Sequence, residues 1–152
     1  MIKPRWFSPS PLPKYPGLGY QDAAIVDSYL RTKPAGLVRV SYSVPVGQGR
    51  PQTVDTTPAI AADWKYLTSL KVDAIFEFTD RVELCEIKPN AGAGAIGQLL
   101  CYNILMRQAI FTQLPIYNVI LTDDIHPDVA LCAGLLNIRV RTIAPPSRRV
   151  PI

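Results

Sequence analysis

One histidine, His126, and three cysteines, Cys85, Cys101 and Cys132, are all that 152 residues offer of the softer metal ligands. No Cys-x-x-Cys pair and no Cys/His spacing is present, which speaks against a zinc centre. The odd cysteine count gives no disulfide framework, so the expectation is three buried thiols in a reducing compartment. No apolar run approaches the roughly 20 residues that cross a bilayer. Met1-Ile2-Lys3-Pro4-Arg5 also lacks the apolar core of a secretion signal. The expected setting is therefore cytoplasmic or within a particle such as a virion, without secretion and without a membrane. Charged residues are scarce at 18%, against 48% hydrophobic, a balance that excludes disorder and gives one packed domain.

The net charge of +4 resides at the ends of the chain. Lys3, Arg5 and Lys14 at one end and Arg141, Arg148 and Arg149 at the other carry +6, so residues 21–140 carry −2. Composition alone gives no cationic groove for nucleic acid. Five of the fifteen prolines fall among the first sixteen residues, interleaved with Trp6, Phe7 and Tyr15. Proline fixes φ and removes a donor, so residues 1–19 read as an extended arm without helix or ladder. Residues 145–152, Pro-rich and basic, have the same character. Both arms are expected to be held, by other subunits of an assembly or by their own domain.

Between the arms, residues 20–144 form the domain. Helical periodicity covers 20–31, and a strand covers 37–46, its exit marked by Pro45 and Gly47. A Gly, Pro and Thr-rich loop leads to a short helix over 58–69, with Trp64, Tyr66 and Leu67 expected in its core. Strands at 71–78 and 82–88 are joined by a tight turn near Asp80-Arg81. A long apolar helix at 95–111, a strand at 116–122, a helix at 127–136 and a strand at 138–143 complete the order. His126 reads as the cap or a surface residue of the last helix, not as a ligand. There are no internal repeats.

The hairpin carries the chemistry. With a two-residue turn at Asp80-Arg81, Asp73 faces Lys88 and Ile75 faces Glu86. Side chains alternate with period two, so Asp73, Glu86 and Lys88 share one side of the sheet. The neighbours Ala74, Ile75, Phe76, Leu84, Cys85 and Ile87 are apolar, so these charges sit in strands that look central. Two carboxylates so close resist joint ionisation unless a cation neutralises them. Mg²⁺ favours oxygen ligands and keeps several waters, which suits hydrolysis of a phosphodiester with Lys88 orienting water or stabilising charge.

Asp73, then twelve residues, then Glu86-Ile87-Lys88 resembles the PD-(D/E)xK nuclease signature, with Val-Asp in place of Pro-Asp. Gln98-Leu99-Leu100-Cys101-Tyr102 is similar to the QxxxY motif of the RecB-like branch. The resemblance spans about residues 20–122. It implies a restriction-endonuclease-like αβββαβ core with a mixed central sheet flanked by helices. It further implies Asp73 and Glu86 as ligands of Mg²⁺ or Mn²⁺, the Ile87 carbonyl as a further ligand, and Lys88 as catalytic base or stabiliser. Gln98 and Tyr102, i and i+4 on one helix, would contact the substrate backbone. Members often add a carboxylate from the first helix; only Asp22 and Asp27 are available there, and no motif flags either.

Gly92-Ala93-Gly94-Ala95-Ile96-Gly97 imitates a dinucleotide fingerprint, with Asp123-Asp124 closing the next strand. Pro89-Asn90-Ala91 spoil the tight turn, and too few strands follow for a doubly wound sheet. The run reads instead as a close-packing entry to the helix, whose free N–H groups would be able to meet a phosphate. The expected function is metal-dependent cleavage of DNA. The alternative is a non-catalytic structural or adaptor subunit of a large assembly, such as a phage head-tail connector or tail component, on the same fold.

Overall fold

The computed structural model describes residues 4–109 and 112–144. Nine elements run in the order α1 Tyr20–Arg31, β1 Leu37–Val46, α2 Pro58–Thr68, β2 Leu70–Phe78, β3 Val82–Ile87, α3 Ala93–Ala109, β4 Ile116–Thr122, α4 Pro127–Leu135 and β5 Ile138–Thr142. Local signals explain the helix ends. Thr57 accepts from the Ile60 N–H ahead of α2, with Pro58 in its first turn. His126 Nδ1 accepts from the Asp128 N–H at 3.1 Å and caps α4, as its place in the sequence implies.

The strands form one mixed sheet in the order β1-β2-β3-β4-β5. The pairs β1–β2 and β2–β3 are antiparallel, and the pairs β3–β4 and β4–β5 are parallel. β3 is therefore the central strand, and all six of its residues are buried. Helix α1 covers one face through Ile25, Val26, Tyr29 and Leu30, packed on Phe76, Cys85, Val119 and Leu121. Helices α3 and α4 cover the other, where Leu99, Tyr102, Met106 and Ala133 meet Ile75, Leu84 and Ile120.

One irregularity positions the site. On β1, Val40 and Tyr42 belong to the α1 side, whereas Val44 and Val46 belong to the α3 side. On β2 the same change falls between Ala74 and Val72. Between the pairs Tyr42↔Ala74 and Val44↔Val72 stand Ser43 and Asp73. Ser43 has φ 49°, the left-handed conformation that strains a residue with a Cβ and turns a strand over. Gly17 presses on it: a Cβ at Gly17 would stand 2.4 Å from Ser43 Oγ, so glycine is needed there. Asp73 thus lies where the paired strands change face.

The N-terminal arm departs from expectation in one respect, a ladder contact. Phe7 exchanges two backbone hydrogen bonds with Val40, at 2.8 and 3.0 Å, and so adds a short bridge to the β1 edge. Tyr15 is buried; its hydroxyl accepts from the Leu12 N–H and donates to Asp27 Oδ1. The described part of the arm packs on its own domain, because aromatics beside stiff prolines dock with little entropy loss. Residues 1–3 and the basic tail 145–152 lie outside the described residues.

Other expectations are corrected as well. Cys85 is buried, but Cys101 and Cys132 are exposed on the outer faces of α3 and α4. Helix α2 buries none of its residues, so Trp64, Tyr66 and Leu67 are not core. The Trp64 ring N–H is instead taken up locally by the Arg50 and Pro51 carbonyls.

Candidate functional site

β2 and β3 pair as Ala74↔Cys85, Ile75↔Leu84, Phe76↔Glu83 and Glu77↔Val82. The Phe78 N–H bonds the Arg81 carbonyl at 2.8 Å, so the turn is Thr79-Asp80, one residue earlier than expected. The register moves by two residues, and Asp73 comes opposite Glu86 instead of Lys88. Because two is a whole side-chain period, the shared face survives the correction.

Asp73 Oδ2 accepts the Ile87 N–H at 2.9 Å, which ties β2 to β3 beyond the last ladder pair. Glu86 is 3% exposed and its Oε2 has no hydrogen-bond partner among the described residues. Burial, opposed by the Ile87 N–H and reinforced by the charge of Asp22, pushes Asp73 up to about 6. Burial first, and then the neighbouring Asp73, pushes Glu86 up to about 8. Lys88, exposed just past the end of β3, draws the acidity of Asp22, Asp73 and Glu86 the other way. Both carboxyls, on adjacent strands, are therefore raised above the range of a free carboxylate.

Helix α3 delivers the second motif to the same place. Gln98 Nε2 donates to the Tyr102 hydroxyl oxygen at 3.2 Å, which leaves the hydroxyl hydrogen for Glu86. Tyr102 holds the Glu86 carboxyl down against its burial, and its own phenol is raised by burial and by Glu86. All five side chains expected at the site, Asp73, Glu86, Lys88, Gln98 and Tyr102, thus fall at one end of the sheet. Asp22 in the first turn of α1 joins them through its charge, with its carboxyl raised chiefly by burial. It is one of the two first-helix carboxylates that the sequence makes available, and the structure singles it out over Asp27, which binds Tyr15 and Arg31.

The donor set can be weighed on this geometry. Among the described residues no three His, Cys, Asp or Glu side chains form a group able to hold a metal. Mg²⁺ needs fewer: it is commonly held by one or two carboxylates while keeping several waters. The orphaned Glu86 Oε2 beside Asp73 is the kind of buried acceptor such an ion would satisfy. Asp73, Glu86 and the Ile87 carbonyl are oxygen donors of the right hardness.

The glycine run plays a different part from the one expected. Helix α3 begins at Ala93, and a Cβ on Gly92, Gly94 or Gly97 would meet nothing within 4 Å. The entry to α3 is open, not close-packed. On the α1 side of β3, Glu83 forms a second charged cluster with Arg81, Arg139 and Arg141, which sequence reading did not single out.

The chain is a mixed α/β protein with a five-stranded mixed sheet flanked by helices. No family model matches its sequence, and no curated protein does. Among solved structures it is similar to "Crystal Structure of Protein of Unknown Function AF1548", with 13% identity and a TM-score of 0.48. The match covers 79% of this chain and 56% of that one, so this chain spans little over half of that length.

Proposed function

We propose that this chain is a metal-dependent DNA nuclease on a PD-(D/E)xK, restriction-endonuclease-like core. The observation that carries the reading is the pair of half-buried Asp73 and buried Glu86, with raised carboxyl pKa values, an unpartnered Glu86 Oε2, and Lys88 beside them. A structural carboxylate in a central strand normally finds a cation or several donors; this pair has few. The order α1-β1-β2-β3-α3-β4, with α2 between β1 and β2, supports the fold assignment.

Asp73, Glu86 and the Ile87 carbonyl would hold Mg²⁺ or Mn²⁺, which when bound supplies charge neutralisation for a phosphodiester and acidifies a water. Lys88, exposed at the rim, orients the attacking water or stabilises charge on the phosphate. Tyr102 keeps the Glu86 carboxyl oriented and Gln98 keeps Tyr102 oriented, with Gln98 exposed to meet the substrate backbone. The net negative body argues for local, backbone-directed contact with DNA over a broad cationic groove.

The test is cleavage of linear duplex and single-stranded DNA with Mg²⁺ or Mn²⁺, beside Lys88→Ala and Asp73→Asn. Cleavage lost in both variants, by about 100-fold or more as for removal of a charge-stabilising group, supports the reading. A folded wild type that neither cuts nor binds metal by calorimetry overturns it.

One observation favours the second reading, a non-catalytic subunit of a larger assembly. Helix α2 leaves Ile60, Trp64 and Leu67 exposed at i, i+4 and i+7. An eleven-residue helix with an uncovered apolar stripe gains little from its own domain. Co-sedimentation of the chain in a particle, with Leu67→Asp released from it, would favour that subunit role.

A further inference from the structure

Helices α3 and α4 are apolar on the side that faces away from the sheet. A surface helix ordinarily carries its charges there. The seventeen residues of α3 include one charged side chain, Arg107, and the nine of α4 include one, Asp128. Exposed on the two helices and at the end of α4 are Leu100, Ile104, Leu131, Leu135 and Leu136, with Leu131 at 63% and Leu135 at 77%. Gly97 and Gly134 leave bare backbone among them, since a Cβ on either would meet nothing within 4 Å. A cleft walled by Leu100, Ile104 and Leu136 opens between α3 and the end of α4, with room for side chains from an opposing surface. Leucines gathered in this way on an outer face mark an interaction surface.

The two charges say what covers it. Strands β3, β4 and β5 are parallel, so α3 and α4, which connect them, run back against the strands and parallel to each other. Asp128, in the first turn of α4, therefore lies toward the Glu86 end of the sheet, and Arg107, in the last turn of α3, toward the other end. Neither has a permanently charged partner among the described residues. Arg107 donates to the Asn103 amide oxygen at 2.6 Å, and Asp128 has the His126 ring at 3.8 Å. The outer surface of the two helices is thus apolar and neutral in sum, positive at one end and negative at the other. Such a surface has no excess of cations to hold a polyanion. Turned end for end, it is the complement of itself.

We infer that this face binds a second copy of the chain, forming a two-fold dimer through the outer surfaces of α3 and α4. A two-fold interface is isologous, so one patch has to satisfy itself. An axis that lies in the face and bisects the line from Arg107 to Asp128 sets Arg107 of each copy against Asp128 of the other, twice. Burial of the leucines supplies the affinity, and the repeated ion pair fixes the orientation. The dimer rests neither on the nuclease reading nor on the apolar stripe of α2.

The test is sedimentation velocity of the full chain from low to high micromolar concentration, where wild type should pass from monomer to dimer. Leu135→Asp should raise the dissociation constant about a hundredfold, since a two-fold interface loses the leucine twice. Arg107→Asp and Asp128→Arg, each alone, should raise it about tenfold, because like charges then face each other twice. Mixed in equal amounts, these two charge variants should dimerise as well as wild type, since each supplies the charge the other has lost. Leu67→Asp, on α2, should leave the dimer intact. All four positions are exposed, and a circular dichroism spectrum matching wild type verifies that each variant is folded. Four results overturn the inference: a wild type that stays monomeric throughout, a dimer indifferent to Leu135→Asp, a mixture of charge variants that fails to recover, or a dimer lost in Leu67→Asp.

Discussion

Glu83 and Glu86 lie three residues apart on the same central strand, and both are buried, at 0% and 3% exposure. Their fates are opposite. Glu83 points to the α1 side, where hydrogen bonds from Arg141 and Arg81 overcome its burial and hold its carboxyl below the usual range. Glu86 points to the α3 side, where burial and Asp73 win over Lys88 and Tyr102 and push it up to about 8. Equal burial therefore does not decide the charge of a strand glutamate; the donors that reach it do. Glu83 has the signature of a structural ion pair. Glu86 has the signature of a group waiting for a cation.

The largest expected effect comes from breaking the satisfied side. Glu83→Gln leaves Arg141, half-buried against Tyr29, without its charge partner. Removing one member of a buried pair costs about 3–5 kcal/mol, read as a fall in the denaturant midpoint with an unchanged slope. Next in size is the opposite change on the other side. Glu86→Gln removes a charge that the fold disfavours, so metal-free protein at pH 8 should gain about 1–2 kcal/mol, or a few degrees in Tm. The same substitution should abolish any rise in Tm caused by Mg²⁺. A destabilised Glu86→Gln at that pH would mean Glu86 is structurally paired after all.

The comparison also fixes two pH slopes of opposite sign. The Glu83 carboxyl is lowered on folding, so its stability is present above the unfolded value near 4.3 and is lost as pH falls through the folded one. Asp73 and Glu86 are raised, so the folded state holds protons that the unfolded state releases. Metal-free stability should therefore decline as pH rises from about 4 to 8. Mg²⁺, binding the ionised pair, should restore more stability at pH 8 than at pH 5. Thermal scans across this range with EDTA or Mg²⁺ read both, and a flat metal-free profile would contradict the raised pair.

Much of this was legible in the sequence because it rests on periodicity. The strand pattern at 70–87 fixes which residues share a face, and that parity holds under a two-residue error in the turn. The turn itself was misplaced because Thr79-Asp80 and Asp80-Arg81 are equally plausible tight turns, and only packing of Phe78 against Arg81 separates them. Glu83 does not stand out in the sequence because two of its three arginine partners, Arg139 and Arg141, lie in β5, more than fifty residues away. The choice between Asp22 and Asp27 stays open in the sequence because local pattern says nothing of which charges the topology brings to one sheet end. The apolar residues of α2 misled in the other direction, since large apolar and aromatic side chains such as Trp64, Tyr66 and Leu67 in a helix ordinarily mean burial.

The smallest effect sharpens the comparison most, because it touches only how Glu86 is held. Tyr102→Phe keeps the ring, which is 3% exposed, and removes the hydroxyl that lies between Gln98 and Glu86. Packing should be unchanged to within about 1 kcal/mol. Tyr102 holds the Glu86 carboxyl down, so its loss should raise that carboxyl further, by about one unit or less. The midpoint of the Mg²⁺-dependent Tm gain should move to higher pH by the same amount, while the acid limb set by Glu83 stays in place. The carboxyl ¹³C shift of Glu86, followed through pH 5–9 in wild type and variant, reads the change directly. An unmoved Glu86 titration would show that the α3 motif does not reach the strand carboxylate, and would detach Gln98 and Tyr102 from the site.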